Sequence, residues 1–233
     1  MAIMLFIAPA NPKSIMNHDM HIWGGIREVV LNKHLWVNCL FIGCLYGPTT
    51  VFAESWGVSF TETYRSLGAT DSAFLVGMIF IGLAVGCPIF GWLSGKYGNV
   101  ILMRFSAIGC LVLSILIIYL SGISLIVLVG LYFLYGVFNS GIISSYSRSA
   151  TLARREVSGI ALGITNMSSV LLGAITIQLV GLLLQQFGTQ VNTGISAIYS
   201  AGSYQGIFAI LVASFVICIM LTFFMKNQVA VEA

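Results

Sequence analysis

Six apolar runs, each long enough to cross a lipid bilayer, dominate this chain. A helix needs roughly 20 apolar residues to span the hydrocarbon core. Only 7% of the 233 residues are charged, whereas about 25% are charged in soluble domains. The sequence therefore predicts an all-α membrane protein with six transmembrane helices. The predicted spans are 35–57, 72–94, 100–120, 122–146, 157–184 and 204–225.

The positive charges lie on one side of these spans. If the N-terminus is cytoplasmic, nine of the ten lysines and arginines fall at or near the cytoplasmic side, and only Arg65 falls outside. This is the bias that the positive-inside rule describes. The net charge of +3 is therefore a signal of orientation, and it does not indicate a nucleic-acid partner, since no basic run is interleaved with aromatic residues. Both termini are predicted to be cytoplasmic.

No residue pattern points to catalysis or to a cofactor. His18 and His21 could share a metal ion, but two ligands on a loop do not make a site. The five cysteines all lie inside predicted spans, where we expect them to pack as small apolar residues. No GxSxG, HExxH or P-loop sequence occurs, so we predict neither an enzyme nor a cofactor.

A short glycine-containing turn follows the second predicted span. Residues 91–99 read GWLSGKYGN, and their glycines allow a tight reversal between two helices. This segment resembles the loop signature of the major facilitator superfamily, G-x-L-[AS]-D-[RK]-x-G-R-[RK]. The matching residues are Gly91, Leu93, Ser94, Lys96 and Gly98, whereas Gly95 stands at the acidic position.

The departure at Gly95 has a consequence for gating. In that family the acidic residue is thought to interact with a helix N-terminus or an arginine across the cytoplasmic gate. Gly95 cannot make this interaction, and we expect Glu156, at the start of the fifth span, to sit favourably at a helix N-terminus. The predicted gating residues are Gly91, Ser94, Lys96, Gly98, Arg154, Arg155 and Glu156. We hypothesise that the outward-facing state is less firmly latched than in members that carry the full motif.

Two further segments resemble the same superfamily. Residues 134–173 are similar to helices ten and eleven of a facilitator, and residues 46–58 are similar to helix seven of bacterial nutrient permeases. The resemblance implies helices seven to twelve of a twelve-helix transporter, built as a 3+3 inverted repeat with substrate between two halves. It implies a bacterial inner membrane, a small-molecule substrate and a separately encoded N-terminal half as a possible partner.

This interpretation divides the chain into three parts. Residues 1–34 would be the tip of helix six, a loop and an interfacial helix, with an unstructured basic tail as the alternative. Residues 35–228 would form the six-helix half-domain, and residues 229–233 a cytoplasmic tail. The function predicted is transport of a small polar organic nutrient by alternating access, with proton symport. A structural or regulatory six-helix membrane protein and a non-functional remnant stay open as alternatives.

Glu54 is the acidic residue that lies well within a predicted span, and intramembrane carboxylates are functional candidates. It is expected either to take a proton or to reach outward beside Trp56. Polar stripes on the first, fourth and fifth spans are expected to face protein or water rather than lipid. Interhelical hydrogen bonding is the alternative role for the asparagines. The predicted substrate-binding residues are Tyr46, Thr50, Glu54, Tyr132, Tyr135, Asn139 and Asn166.

Two pairs of glycines have the spacing that lets membrane helices approach closely. They are Gly82 with Gly86 and Gly159 with Gly163. The resemblance places both pairs on helices that face the missing half. We therefore predict that both faces are poorly packed in this chain alone, with tight packing inside the half as the alternative.

Overall fold

Six membrane-length helices make up most of the fold. The computed structural model describes residues 22–192 and 197–225, so the predicted helix tip, the His18 and His21 pair and the C-terminal tail lie outside the described residues. The α-helices are α1 Ile22–Val30, α2 Lys33–Thr49, α3 Gly57–Arg65, α4 Ala69–Tyr97, α5 Asn99–Tyr119, α6 Leu125–Asn139, α7 Ile142–Leu152, α8 Ser158–Phe187 and α9 Ala201–Phe223.

Shorter elements complete the spans and one loop. A π-helix covers Thr50–Ser55, a 3-10 turn covers Arg155–Val157, and strands β1 (Gln190–Asn192) and β2 (Ala197–Tyr199) pair antiparallel. The six helices that are long and apolar enough to cross a membrane confirm the predicted number of spans. In order, the first to sixth spans are Lys33–Ser55, Ala69–Tyr97, Asn99–Tyr119, Leu125–Leu152, Arg155–Phe187 and Ala201–Phe223.

The spans pack in a pattern with internal symmetry. The first span packs along the fifth, the second along the fourth, and the third along the sixth. If the first, second and third spans are exchanged with the fourth, fifth and sixth in that order, the first–fifth pair becomes the fourth–second pair. The third–sixth pair stays the same. This is the packing expected from two three-helix repeats.

Pro48 disturbs the regular ladder of the first span. Proline has no backbone N–H, so the Cys44 carbonyl loses its helical partner, and the Ser214 hydroxyl donates to that carbonyl at 2.9 Å. Beyond the proline the helix widens into the π-helix, in which the Trp56 N–H donates to the Val51 carbonyl at 2.7 Å. The sixth span thus compensates for a defect that the sequence places in the first.

An aromatic cluster closes the end of the bundle at which the first span terminates. The Phe52 and Phe60 rings lie 5.7 Å apart, and Phe60 and Phe208 lie 5.3 Å apart. Because Phe60 belongs to α3, this packing explains why residues 58–65, which fall in the predicted loop 58–71, are helical. Helix α3 then stops at Ser66, which has a left-handed backbone (φ 52°).

The two ends of the bundle differ in charge. The basic end contains α1 and the connections at residues 97–99 and 153–157, and the far end contains α3, residues 120–124 and the β-hairpin. The predicted loop 147–156 is shorter in the structure, since α7 continues to Leu152. Arg148 is therefore buried inside the fourth span.

Candidate functional site

Two hydrogen-bonded pairs form a polar face on the outside of the bundle. The Tyr46 hydroxyl donates to Glu54 Oε1 at 3.0 Å, and the Tyr146 hydroxyl donates to Asn166 Oδ1 at 2.9 Å. Glu54 and Asn166 are exposed, and the two tyrosines are half-buried. We call these four residues the polar face. They come from the first, fourth and fifth spans.

The π-helix is what brings Glu54 onto this face. In a regular α-helix, residues eight positions apart point about 80° away from each other. The π-helix turns less per residue because its hydrogen bonds run from i to i+5, and this offsets most of that angle. The carboxylate then points back along the span toward Tyr46 and not outward beside Trp56. A carboxylate in this position within a membrane span is a candidate for proton transfer or for binding a cationic group.

Four of the predicted substrate-binding residues are buried inside the half. Tyr132 and Asn139 are 1% and 0% exposed. The Tyr132 hydroxyl is 2.7 Å from Thr61 Oγ1, and the Tyr135 hydroxyl is 3.0 Å from Thr49 Oγ1. Their polar groups therefore join helices to one another.

The other two interior residues contact backbone carbonyls. Asn139 Nδ2 donates to the Leu45 carbonyl at 3.2 Å, and the Thr50 hydroxyl donates to the Gly47 carbonyl at 2.8 Å. The side chains of these four residues point into the bundle in this conformation, and Asn139 makes the interhelical hydrogen bond that was its alternative role. Their substrate-lining role stays a prediction. The polar side chains of a stripe on an apolar helix can form their hydrogen bonds with a neighbouring helix as well as with a substrate or with water.

A polar network near the basic end was not predicted. Asn38 Nδ2 donates to Ser149 Oγ at 2.7 Å and to the Ser145 carbonyl at 3.0 Å, and Ser149 Oγ lies 2.6 Å from Thr165 Oγ1. The network joins the first, fourth and fifth spans. It was missed because Ser149 was assigned to a loop and Asn38 is a single polar residue in an apolar run.

The two glycine pairs differ in their surroundings. A Cβ at Gly82 would lie 2.0 Å from the Phe133 carbonyl oxygen, and one at Gly86 would lie 2.7 Å from the Val137 carbonyl oxygen. The prediction of an open face is therefore wrong for this pair, because the second and fourth spans touch backbone to backbone. A Cβ at Gly159 or Gly163 would meet no atom within 4 Å, so this pair lies on an open surface of the fifth span.

Comparison with known proteins decides the family. The sequence model of the Major Facilitator Superfamily matches residues 2–177. The chain belongs to the Major Facilitator Superfamily. Its fold is similar to that of the inward-open xylose transporter XylE from E. coli, with a TM-score of 0.65 and 15% sequence identity. That match covers 83% of this chain and 48% of the transporter, so the chain spans about half the length of this neighbour. No curated protein sequence matches.

The superfamily loop motif has a structural role at the basic end. Gly98 has φ +89°, a conformation that side chains disfavour, and its N–H donates to the Ser94 carbonyl at 3.0 Å. Ser94 is buried and hydrogen-bonded to Ser144 of the fourth span. Lys96 is exposed and lies over the Trp92 and Tyr97 rings at 5.6 and 5.3 Å.

The charged residues predicted for the gate do not meet the loop motif. Arg154 instead forms an ion pair with Glu28 of α1. Its hydrogen bonds hold the pKa of Glu28 below the usual value, and the same contact raises the pKa of Arg154. Arg155 and Glu156 are exposed. A Cβ at Gly91 would lie 3.9 Å from the Ile143 side chain. Gly95 has open space around it.

Proposed function

We propose that this chain is the C-terminal six-helix half of a secondary transporter that moves a small polar organic nutrient by alternating access. The polar face carries this proposal. It places a carboxylate, two phenol hydroxyls and one amide on the outer surface of spans that are otherwise apolar. Polar groups in a membrane span face a protein partner or a water-filled cavity, so this face is the wall of a cavity that a second half would complete.

The polar face suits an organic solute with several hydrogen-bonding groups. Glu54 and the Asn166 carbonyl accept hydrogen bonds, while the hydroxyls of Tyr46 and Tyr146 both donate and accept. Ammonium or hydroxyl groups would find partners here, which supports an amino acid or a similar metabolite. The structural neighbour is a xylose transporter, and a sugar presents the same kind of hydroxyl groups.

Glu54 is the proposed proton carrier. Its carboxylate has a donor in Tyr46 when ionised, and protonation would release the hydroxyl to a substrate. No other carboxylate of the described residues lies on the polar face. The resulting mechanism is proton symport, in which substrate and proton occupy neighbouring groups.

The proposed setting is a bacterial inner membrane with both termini in the cytoplasm. At the basic end lie Lys33, Lys96, Arg148, Arg154 and Arg155, whereas Arg65 lies at the far end. The positive-inside rule then directs the basic end to the cytoplasm. A separately encoded N-terminal half would cover the open glycine pair of the fifth span.

The experiment that tests this function is uptake into vesicles containing the chain co-expressed with six N-terminal facilitator helices encoded beside it. Proton-driven accumulation should require both halves. Glu54→Gln should lower proton-driven accumulation at least tenfold, because glutamine cannot carry the proton. Exchange of substrate without a proton gradient should continue. A tenfold change corresponds to about 1.4 kcal/mol. Asp71→Asn, an exposed carboxylate at the same end, is the control. Unchanged accumulation in Glu54→Gln would refute the coupling, and partner binding without flux would favour a regulatory role.

A further inference from the structure

An arginine without a carboxylate partner lies beside a cavity at the far end of the bundle. Arg65 ends helix α3, and its guanidinium donates to the Ile117 carbonyl at 3.0 Å and lies 4.5 Å from the centre of the Tyr64 ring. Among the described residues the only ion pair joins Glu28 and Arg154, so no described carboxylate lies within 4 Å of Arg65. The Ile117 carbonyl is the one hydrogen-bond acceptor that Arg65 has among the described residues.

Burial makes this arrangement costly. Arg65 is half-buried, and partial removal from water lowers the pKa of its guanidinium. A cation taken out of water is stabilised by an opposite charge. One carbonyl and one aromatic face compensate only partly, because a guanidinium presents five donors in a planar fork.

The adjoining cavity has room for an anion. Its volume is about 210 Å³, and Tyr64, Arg65, Ser121, Gly122 and Leu128 are among the residues that line it. One water occupies about 30 Å³ in the liquid, so a phosphate group with several waters fits. Ser121 and Gly122 are exposed at its mouth, and Leu128 provides an apolar wall.

The cavity lies at the height of the membrane boundary. It sits between the end of the third span at Tyr119 and the start of the fourth at Leu125. Headgroup phosphates lie at this level, and arginine binds phosphate through two parallel hydrogen bonds.

We propose that Arg65 and this cavity form a binding site for a phosphate group, supplied by the headgroup of an anionic phospholipid. The site is separate from the polar face and independent of the transport cycle. It neutralises the half-buried guanidinium and fastens the α3 corner to the bilayer. A free inorganic phosphate offers the same chemistry, and the test below separates the two sources.

The test measures lipid adducts on the full chain in detergent by native mass spectrometry, with melting temperature as a second readout. The probes are short-chain phosphatidylglycerol, phosphatidylcholine and inorganic phosphate. Phosphatidylglycerol should give adducts and raise the melting temperature, and Arg65→Gln should reduce the adducts roughly tenfold, as expected for loss of a charge-assisted hydrogen bond. Ser121→Trp, which fills the cavity and keeps Arg65, should have the same effect even if Arg65→Gln folds poorly.

The control is Arg27→Gln, an exposed arginine at the basic end, which should retain wild-type adducts. Competition by inorganic phosphate at equal concentration would identify a free anion as the ligand of the same site. Adducts unchanged in both Arg65→Gln and Ser121→Trp would overturn the proposal. An equal loss in Arg27→Gln would do so too, because it would show non-specific attraction.

Discussion

The second and fifth spans carry the same glycine spacing, and they use it differently. At Gly82 and Gly86 the second span lies against the fourth so closely that a Cβ would touch backbone oxygen, and Gly136 of the fourth span is equally close to the Ile79 carbonyl. At Gly159 and Gly163 the fifth span has nothing opposite the glycines. The first interface holds the half together, whereas the second surface is available to a partner.

A small-xxx-small motif indicates that another helix can approach this helix closely, but it does not indicate which helix does so. Gly136 provides a matching notch on the fourth span for the first pair. The second pair has no such counterpart among the described residues. It shares its helix with Asn166, whose side chain belongs to the polar face. The proposed N-terminal half would cover both the open glycines and the polar face.

The largest expected effect is at the closed interface. Gly82→Ala would place a Cβ 2.0 Å from the Phe133 carbonyl oxygen, and neither backbone can move away cheaply. We expect destabilisation of at least about 3 kcal/mol, at the upper end of overpacking effects. Thermal unfolding followed by fluorescence-detected gel filtration measures it. Gly163→Ala is the matched control and should not destabilise the fold, because alanine favours a helix over glycine by up to about 1 kcal/mol. Equal losses would erase the distinction between the two pairs.

The open pair should matter only after assembly. Gly159→Leu combined with Gly163→Leu adds side chains to a surface with no described neighbour, so the chain alone should melt as the wild type does. With an N-terminal half present, the same side chains should prevent close approach and reduce uptake at least tenfold, if the interface loses about 1.4 kcal/mol or more. Co-purification of the two halves gives the direct readout. Normal assembly of this double variant would contradict the proposal that this face binds the second half.

The six spans could be predicted from the sequence, whereas the burial of some polar residues and the π-helix could not. Hydropathy predicts the six spans because membrane insertion depends on local composition. Tyr46, Glu54 and Asn166 of the polar face were identified as binding candidates, and interhelical hydrogen bonding was one of the two roles left open for Asn139. The interior position of Tyr132 was not predicted. Burial of a polar stripe depends on which helix lies opposite, and this is a long-range property. The π-helix escaped prediction because its cause, Pro48, is tolerated in membrane helices in several ways.

A smaller effect is expected at Gly95, an open glycine in the last turn of the tightly packed second span. A Cβ there meets nothing within 4 Å, so Gly95→Asp fits and restores the acidic position of the loop motif. The new carboxylate should favour the state in which the basic end is closed by about two- to fivefold, because exposed ion pairs contribute up to about 1 kcal/mol. A cysteine-accessibility assay on the assembled transporter measures the shift. Gly95→Asn, of equal size without charge, should leave the equilibrium in place, and no difference between the two variants would refute the latch.

The smallest expected effect concerns the ion pair that joins α1 to the start of the fifth span. Hydrogen bonds from Arg154 hold the pKa of Glu28 below its usual value. A lowered pKa in the folded state means that the pair stabilises the fold at pH values above the unfolded pKa of about 4.3, and that this stabilisation is lost as the pH falls through the folded pKa. Glu28→Gln should therefore melt slightly below wild type at neutral pH, and the two curves should converge in acid. Arg155→Gln, at an exposed neighbour, should match wild type throughout. A gap that persists in acid would show that Glu28 acts through packing and not through its charge.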